Sequence, residues 1–139
     1  MEENRTDVIV LTGYLKLIEN PLLSAFQGRI LNVHPALLPA FGGPGMYGKH
    51  VHDAVLKSGQ RWSGATVHLV DGQFDTGPLV AQRRVHVSPH DSVASLERRV
   101  TDEEKGLLVD VINDIARWYD AKNHESFSKG RSSAAISAL

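Results

Sequence analysis

The sequence predicts an α/β fold in which helices flank a mainly parallel sheet. The first observation behind this prediction is a short apolar run, Asp7–Leu11, which ends at a Thr-Gly pair and is typical of a strand buried on both faces. The second is the order strand, crossover, strand in the first part of the chain, which favours parallel pairing. The third is a long amphipathic helical pattern further along the chain that can cover the sheet.

The first crossover is expected to hold a short helix near Pro21–Phe26, because Asn20 can cap it and Pro21 suits the first position of a helix. The second strand is predicted at Arg29–Val33. A loop follows at Pro35–Gly48, where three prolines and four glycines are interleaved with apolar residues. This interleaving favours an ordered loop over a linker, and loops of this length in compact domains are usually functional or mobile.

The middle of the chain is predicted to form one helix and two more strands. The helix is expected at His50–Ser58, and Gly59 ends it because glycine accepts the left-handed conformation of a helix terminus. A strand is predicted at Ala65–Val70. After the glycine-rich segment Asp71–Pro78, another strand is predicted at Leu79–Val87.

The final helix is expected to begin after Pro89, where Asp91 or Ser92 can cap it. Its apolar residues recur at helical spacing and are Val93, Leu96, Val100, Leu107, Leu108, Val111, Ile112, Ile115 and Trp118. We expect residues 1–120 to form the folded domain. Residues 121–139 are polar and serine-rich, so we expect them to form a disordered tail.

Composition and charge limit the classes of protein to which the chain can belong. Its 139 residues fit one domain. The formal net charge of -1 leaves no basic excess for binding nucleic acid, and the absence of cysteine excludes a disulfide framework and a thiolate metal site. No apolar stretch reaches the roughly 18 residues that a membrane helix needs. We therefore expect a soluble, cytoplasmic protein whose partners are small molecules, with no nucleic acid and no membrane among them.

The best candidates for chemistry lie after two predicted strands. Asn32 and His34 stand two residues apart at the end of the second strand, and Asp75 lies in the glycine-rich segment after the third. An amide donor, a titratable ring and a carboxylate suit acid–base chemistry when rigid elements hold them. Two of them have a structural alternative, because His34 can be a hydrogen-bonded structural residue and Asp75 can stabilise a turn by bonding its own backbone.

The sequence offers little for a metal ion or a phosphate cradle. His50 and His52 are two residues apart on a predicted helix and point to different faces, and no cysteine or flanking carboxylate completes a ligand set. The segment Gly42–Gly45 lacks both the dinucleotide-binding spacing and a Walker lysine. We therefore expect no metal site.

Three motifs in order along the chain carry a resemblance to a known family. They are Asn32–Pro39 (NVHPALLP), Gly64–His68 (GATVH) and Asp75–Pro78 (DTGP). In these motifs, and over about Asp7–Tyr119, the chain resembles phosphoribosylglycinamide formyltransferase, the folate-dependent family of purine synthesis. The resemblance implies a formyltransferase-type α/β fold, 10-formyltetrahydrofolate as cosubstrate, glycinamide ribonucleotide as acceptor, and no metal.

The resemblance also implies a role for each catalytic candidate. In the family, the amine of glycinamide ribonucleotide attacks the formyl carbon, and negative charge grows on the former carbonyl oxygen. Asn32 matches the amide that donates a hydrogen bond to this oxygen. His34 matches the catalytic imidazole. Asp75 matches the carboxylate that orients the imidazole or a bridging water and carries the amine proton to the departing folate nitrogen, so no covalent enzyme intermediate is needed.

The binding residues of the family carry over position by position. Those expected to hold the folate are Lys16, Leu17, Ile18, Val70, Gly72 and Asp75. Those expected to hold the nucleotide are Leu15, Val33, Pro35 and Glu104. Lys16 stands where an arginine is common and Lys105 where a histidine is usual, changes that we expect to weaken affinity without removing the chemistry. The Leu38–Pro39 bond is cis in the family, so we expect a cis bond here.

The main departure from the family concerns what precedes the first predicted strand. Family members have about eighty residues there, including Rossmann-like strands and a glycine-rich loop that binds substrate phosphate at a helix N-terminus. We therefore expect Val8–Leu11 to present an unpaired apolar edge, which can pair with a second copy or with an N-terminal half. Activity can depend on that half.

Other interpretations stay open. Methionyl-tRNA formyltransferases place an Arg-Gly and Ala-Pro pattern where this chain has Phe41–His50, and formyltetrahydrofolate deformylases typically carry a second histidine where Pro35 stands. The chain can also be a folate-binding module without turnover, or an inactive fragment that folds only by oligomerising.

Overall fold

Residues 5–129 are described by the computed structural model and form one sheet and three helices. The strands are β1 (Ile9–Leu11), β2 (Ile30–His34), β3 (Trp62–Leu69) and β4 (Leu79–His86). The helices are α1 (Leu22–Ala25), α2 (Lys49–Ser58) and α3 (Val93–Lys129). The strands lie side by side in the order β1-β2-β3-β4.

The sheet is mixed. β1 and β2 are parallel, whereas β2 pairs with β3 and β3 pairs with β4 in antiparallel fashion. The predicted α/β class is therefore confirmed, but the expectation of a mainly parallel sheet is wrong for the strands that the structure describes. Segment 70–78 is too short to carry the crossover of roughly a dozen residues that a parallel neighbour needs, so β4 runs back alongside β3.

Three strands begin at residues other than those expected. β1 begins at Ile9 rather than Asp7, β2 at Ile30 rather than Arg29, and β3 at Trp62 rather than Ala65. The apolar pattern does not predict the early start of β3, because Ser63 and Gly64 interrupt it. Both residues are nevertheless buried and paired with β4. Tertiary pairing therefore extends the strand through residues of low intrinsic preference.

The two shorter helices differ in how well their ends were predicted. α2 ends at Gly59, whose φ of 71° is left-handed, as expected. The cap expected from Asn20 on α1 is wrong, because Pro21 occupies the cap position and no side chain caps the helix. The Asn20 side-chain oxygen instead accepts a hydrogen bond from the Ser24 hydroxyl, one turn away.

α3 begins at a reciprocal serine cap. The Ser92 hydroxyl accepts a hydrogen bond from the Ser95 N–H at 3.1 Å, and the Ser95 hydroxyl accepts one from the Ser92 N–H at 3.0 Å. The helix continues to Lys129 because no proline or glycine interrupts its last turns, so this part of the expected tail is helical. Residues 130–139 lie outside the described residues. The predicted end of the folded domain at residue 120 therefore stays a prediction.

α3 covers one face of the sheet. Alternation along β2 and β3 sends a set of apolar side chains to this face. The core cluster formed there contains Leu31, Val33, Ala65, Val67, Leu69, Leu107, Val111 and Ile115. A second cluster joins α2, β4 and the first turns of α3 through Val55, Val85, Val87, Leu96 and Val100. The opposite face of β2 and β3 is therefore left for polar side chains.

Candidate active site

Asn32 and His34 lie on the face of β2 that points away from the α3 core, opposite His68 and Thr66 of β3. Asp75 reaches the same place from the segment after β3. Its Oδ1 lies 3.4 Å from Nδ1 of His34 and 3.5 Å from Nε2 of His68. Nδ2 of Asn32 lies 3.1 Å from the same His68 nitrogen. The structure thus brings the three predicted catalytic side chains together around His68, along one cleft of about 360 Å³.

Asp75 reaches this position through an uncommon backbone conformation. Its φ of 57° is left-handed, which is rare for residues other than glycine. Its Oδ2 accepts a hydrogen bond from the Gly43 N–H at 3.0 Å, and this bond ties the long loop after β2 to the site. The turn-stabilising role considered for Asp75 belongs instead to Asp71, whose carboxylate accepts hydrogen bonds from the Gln73 N–H and the Thr76 hydroxyl.

His34 is buried, and both of its ring nitrogens face protein groups. Nε2 donates a hydrogen bond to the Phe41 carbonyl oxygen at 2.7 Å, while Nδ1 faces Asp75. Burial lowers the pKa of His34, although the Asp75 carboxylate and the Phe41 carbonyl act in the opposite direction. Burial acts to raise the pKa of Asp75, but the contacts with His68, Gly43 and His34 together hold that pKa below its ordinary value. The site therefore favours an ionised carboxylate beside a neutral imidazole.

His68 is the residue of this cluster that sequence reasoning did not single out. It is 2% exposed and contacts both Asn32 and Asp75. It belongs to the GATVH motif, but its place in the site depends on the antiparallel register of β3 against β2. The sequence signal that could have identified His68 is the alternation of side chains along β3. Residues 66 and 68 share one face of the strand, the face opposite to that of the apolar residues.

The predicted binding residues surround this cluster, with one exception. Residues 15–18 follow β1 and line the cleft, where Leu15 and Leu17 are exposed and Ile18 is buried. The other predicted residues that line it are Lys16, Val33, Pro35, Val70 and Glu104. Gly72 lies outside this lining. Its φ of 91° places it in the turn between the lining residues Val70 and Gln73.

One wall of the cleft carries polar groups from α2 and α3. They are His52, Glu97, Thr101 and Glu104. Burial raises the pKa of Glu104 from 4.5 to about 7, against the opposing effect of Lys105. Burial lowers the pKa of His52, which the Glu97 carboxylate opposes. Nδ1 of His52 is buried and lacks a hydrogen-bond partner in the part of the chain that the structure describes, so this wall can accept a polar ligand.

Replacing Glu104 with glutamine should change how stability depends on pH. Because the folded-state pKa of Glu104 is raised, its stabilising contribution is full below pH 4.5 and is lost as the pH rises through about 7. We expect the variant to gain about 2 kcal/mol relative to the parent chain between pH 4.5 and 8, after allowance for partial exposure. Urea unfolding at both pH values measures this. Asp102→Asn, which removes an exposed charge on the same helix, is the control. If the free energy of unfolding changed equally with pH in the parent and in both variants, the prediction would be contradicted.

The loop that follows His34 is fixed by Thr66. The Thr66 hydroxyl donates to the Ala36 carbonyl at 2.7 Å and accepts from the Leu38 N–H at 3.1 Å. It also accepts from Nε2 of Gln82 at 3.0 Å, so its one donor and two acceptor positions are all used. The bond between Leu38 and the following proline is cis, as the resemblance implied, and the bond after Asn20 is cis as well.

Replacing Thr66 with valine should destabilise the fold more than its change in size suggests. Valine has nearly the same shape but leaves the Leu38 N–H and the Ala36 carbonyl without their partner in a buried position. We expect a loss of about 3 kcal/mol in the free energy of unfolding. Thr66→Ser keeps the hydroxyl and should cost about 1 kcal/mol for the lost methyl group. Urea denaturation measures both, and equal losses for the two variants would show that the hydroxyl network contributes little.

Among residues 5–129, no group of three or more His, Cys, Asp or Glu side chains is placed to hold a metal ion. The two neighbouring histidines on α2 are separated in the structure. His52 lines the cleft, whereas His50 packs edge-on against Tyr47. Over the same described range, no helix is long and apolar enough to cross a membrane.

Comparisons with known proteins agree with one another. The family model described as "Formyl transferase" matches residues 1–112. The chloroplastic phosphoribosylglycinamide formyltransferase of Arabidopsis thaliana is 53% identical over 109 residues, which cover 78% of this chain and 37% of that protein. The phosphoribosylglycinamide formyltransferase of Bacillus subtilis is 37% identical over 112 residues, which cover 81% of this chain and 55% of that protein.

Comparison with a solved structure indicates the same family. Glycinamide ribonucleotide transformylase 1 from Symbiobacterium toebii matches with a TM-score of 0.73 and 38% sequence identity, over 81% of this chain and 51% of that chain. The chain thus spans between 37% and 55% of the length of these relatives.

Proposed function

The chain belongs to the formyl transferase family, and on that premise we propose that it carries the catalytic part of a glycinamide ribonucleotide formyltransferase. The reaction moves the formyl group of 10-formyltetrahydrofolate to the amine of glycinamide ribonucleotide in purine biosynthesis. The observation that carries this proposal is the convergence of Asn32, His34 and Asp75 on one cleft, with 3.4 Å between the His34 and Asp75 side chains. The cytoplasmic location expected from the sequence stays a prediction.

The cleft suits a folate at one part and a nucleotide at another. Residues 15–18 offer three apolar side chains, and the segment from Val70 to Asp75 offers backbone groups, a combination that matches a flat, hydrogen-bonding pteridine. Glu104, with its raised pKa, and Nδ1 of His52, which has no hydrogen-bond partner among the described residues, offer polar contacts for a ribose or an amide. When bound, 10-formyltetrahydrofolate supplies the electrophilic one-carbon unit.

The chain's own side chains then divide the work. Asn32 donates a hydrogen bond to the formyl oxygen as negative charge develops on it, a contact worth about 3 kcal/mol when preorganised. Asp75, an ionised carboxylate, accepts the proton that the attacking amine loses and delivers it to the folate nitrogen as the bond between that nitrogen and the formyl carbon breaks. His34 has both nitrogens engaged by protein groups in this arrangement. Once Asp75 has taken the amine proton, Nδ1 of the neutral His34 ring shares that proton, which places positive charge near the oxyanion without a direct bond to it.

The proposed enzyme also needs a phosphate-binding portion. The chain spans only part of the length of its relatives, and the resemblance places a glycine-rich phosphate loop in the remainder. In the described sheet, β1 pairs with β2 on one side and has no strand on the other. We propose that the edge Val8–Leu11 receives a strand from that portion, and pairing with a second copy of the chain is the alternative occupant.

The test is a formyl-transfer assay on the purified chain, alone and mixed with the part of the Bacillus subtilis relative that the chain does not cover. Formation of formylglycinamide ribonucleotide, followed by mass spectrometry, is the expected result in the mixture. Release of formate without the acceptor would indicate a deformylase instead, and formylation of methionyl-tRNA would indicate the other sister activity. Folate binding by calorimetry without any turnover would indicate a binding module, and the absence of both binding and transfer would refute the proposal.

A further inference from the structure

Phe41, in the long loop after β2, has a backbone conformation that is rare for a residue other than glycine. Its φ is 56°, and among residues 5–129 the only other non-glycine residue with a positive φ is Asp75 of the catalytic cluster. This left-handed region is unfavourable for a residue that has a Cβ atom, so surrounding contacts must hold Phe41 there. Such conformations concentrate at functional sites. The backbone of Phe41 therefore indicates a role in the site.

The side chain of Phe41 supplies a contact that can hold this conformation. Its ring is partly buried and packs against the second core cluster, which joins α2, β4 and the first turns of α3. Moving an aromatic ring out of such a cluster would expose a large apolar surface to water, which is unfavourable. The ring therefore anchors residue 41 to three elements of the fold, although Phe41 does not itself line the cleft.

The carbonyl group of Phe41 determines which nitrogen of His34 keeps its proton. Its oxygen lies 2.7 Å from Nε2 of His34. A carbonyl oxygen can only accept a hydrogen bond, so Nε2 must carry a proton in both the neutral and the charged form of the ring. The other nitrogen, Nδ1, is therefore the one that gains or loses a proton. Nδ1 is also the atom that faces Asp75, at 3.4 Å from its Oδ1.

The two glycines that follow along the chain contact the other member of this pair. The Gly43 N–H donates a hydrogen bond to Oδ2 of Asp75 at 3.0 Å. A Cβ atom at Gly42 would come within 3.1 Å of the Cβ atom of Asp75, so the backbone approaches this side chain closely. Three consecutive residues, 41–43, thus contact both His34 and Asp75. The position of this segment therefore sets the distance between the two side chains that share the proton.

We infer that Phe41 is a positioning residue, whose ring anchors segment 41–43 so that Nδ1 of His34, and not Nε2, exchanges the proton with Asp75. The inference rests on the proposed function for the origin of that proton, but not for the tautomer of the ring. Without the aromatic side chain, residue 41 can relax to a common backbone conformation. Its carbonyl group then turns away from Nε2, and a neutral His34 can carry its proton on either nitrogen.

Three variants, assayed in the mixture used for formyl transfer, separate this role from simple packing. Leu56 on α2 is the matched control, because it is also partly buried against the second core cluster and does not line the cleft. We expect Phe41→Ala to lower kcat about 30-fold with an unchanged KM for the folate, since a displacement of about 1 Å can cost about a hundredfold. Phe41→Leu keeps an apolar side chain in the cluster and should stay within about threefold of the parent. Leu56→Ala should leave kcat unchanged, and equal losses of kcat for the two alanine variants would overturn the inference.

A measurement without substrate tests the inference whatever the chain catalyses. Two-bond ¹⁵N–¹H spectra of the ¹⁵N-labelled chain, recorded with the His34 ring neutral, should show protonation at Nε2 alone in the parent, in Phe41→Leu and in Leu56→Ala. Phe41→Ala should show a mixture of both tautomers. A parent ring without a proton on Nε2 would overturn the inference even if the alanine variant did not fold, and so would an unchanged tautomer in a folded Phe41→Ala chain. The expected spectra without formyl transfer by the parent would refute the proposed function alone.

Discussion

Replacing His34 with alanine is expected to lower kcat for formyl transfer by about a thousandfold, within the range found for removal of a general acid–base group. The imidazole lies 3.4 Å from the Asp75 carboxylate and is the group best placed to share its proton. The KM for the folate should change little, since residues 15–18, which we propose hold the folate, are untouched. Steady-state kinetics measure both constants, with the chain mixed with the part of the Bacillus subtilis relative that it does not cover.

Two further variants make the His34 result interpretable. His90→Ala removes an exposed histidine that does not line the cleft and should leave kcat unchanged. His34→Gln removes the titrating ring but keeps a polar side chain, so it should lose nearly as much activity as the alanine variant if proton transfer is the cause. A His34→Ala variant that folds normally and retains a tenth or more of the parent activity would rule out the mechanism assigned to this residue.

The sequence predicted the part of the site that depends on local pattern. Asn32 and His34 are two residues apart on a strand, so they must share a face, and Val33 between them must enter the core. The same alternation that buries Val33 thus presents both polar side chains to the cleft. No knowledge of the neighbouring strands was needed for this step.

The rest of the site depends on long-range pairing that local sequence does not encode. His68 enters the site only because β3 runs antiparallel to β2 in a register that sets it opposite Asn32. Because a mainly parallel sheet was expected, the antiparallel pairing of β2 with β3 was not predicted. Similarly, the sequence does not distinguish Asp71 from Asp75, since both are aspartates of the same glycine-rich segment. Their roles differ because the Gly43 N–H, from a distant loop, donates a hydrogen bond to Asp75, whereas Asp71 accepts one from its own turn.

Gly77 is expected to be the most sensitive position of the segment that carries Asp75. It is buried, and the segment closes back on β3 through a hydrogen bond from the Leu69 N–H to the Pro78 carbonyl at 2.9 Å. A Cβ atom at Gly77 would lie 1.7 Å from the Leu69 carbonyl oxygen, which no rotamer change can relieve because both atoms belong to the backbone. Only glycine permits this approach of the two chain segments.

Gly77→Ala should therefore lower the free energy of unfolding by about 3 kcal/mol, the upper part of the usual cost of overpacking. It should also lower kcat, because relief of the clash moves Asp75 away from His34. Gly106→Ala is the matched control. Its added methyl group meets only the guanidinium end of Arg83, which can move, and alanine favours the interior of α3, so stability should stay within about 1 kcal/mol of the parent. Urea denaturation of both variants measures the difference. A Gly77→Ala chain as stable as its Gly106→Ala counterpart would mean that the segment after β3 can shift freely, in which case Asp75 is not held in place by the backbone contact that the structure assigns to it.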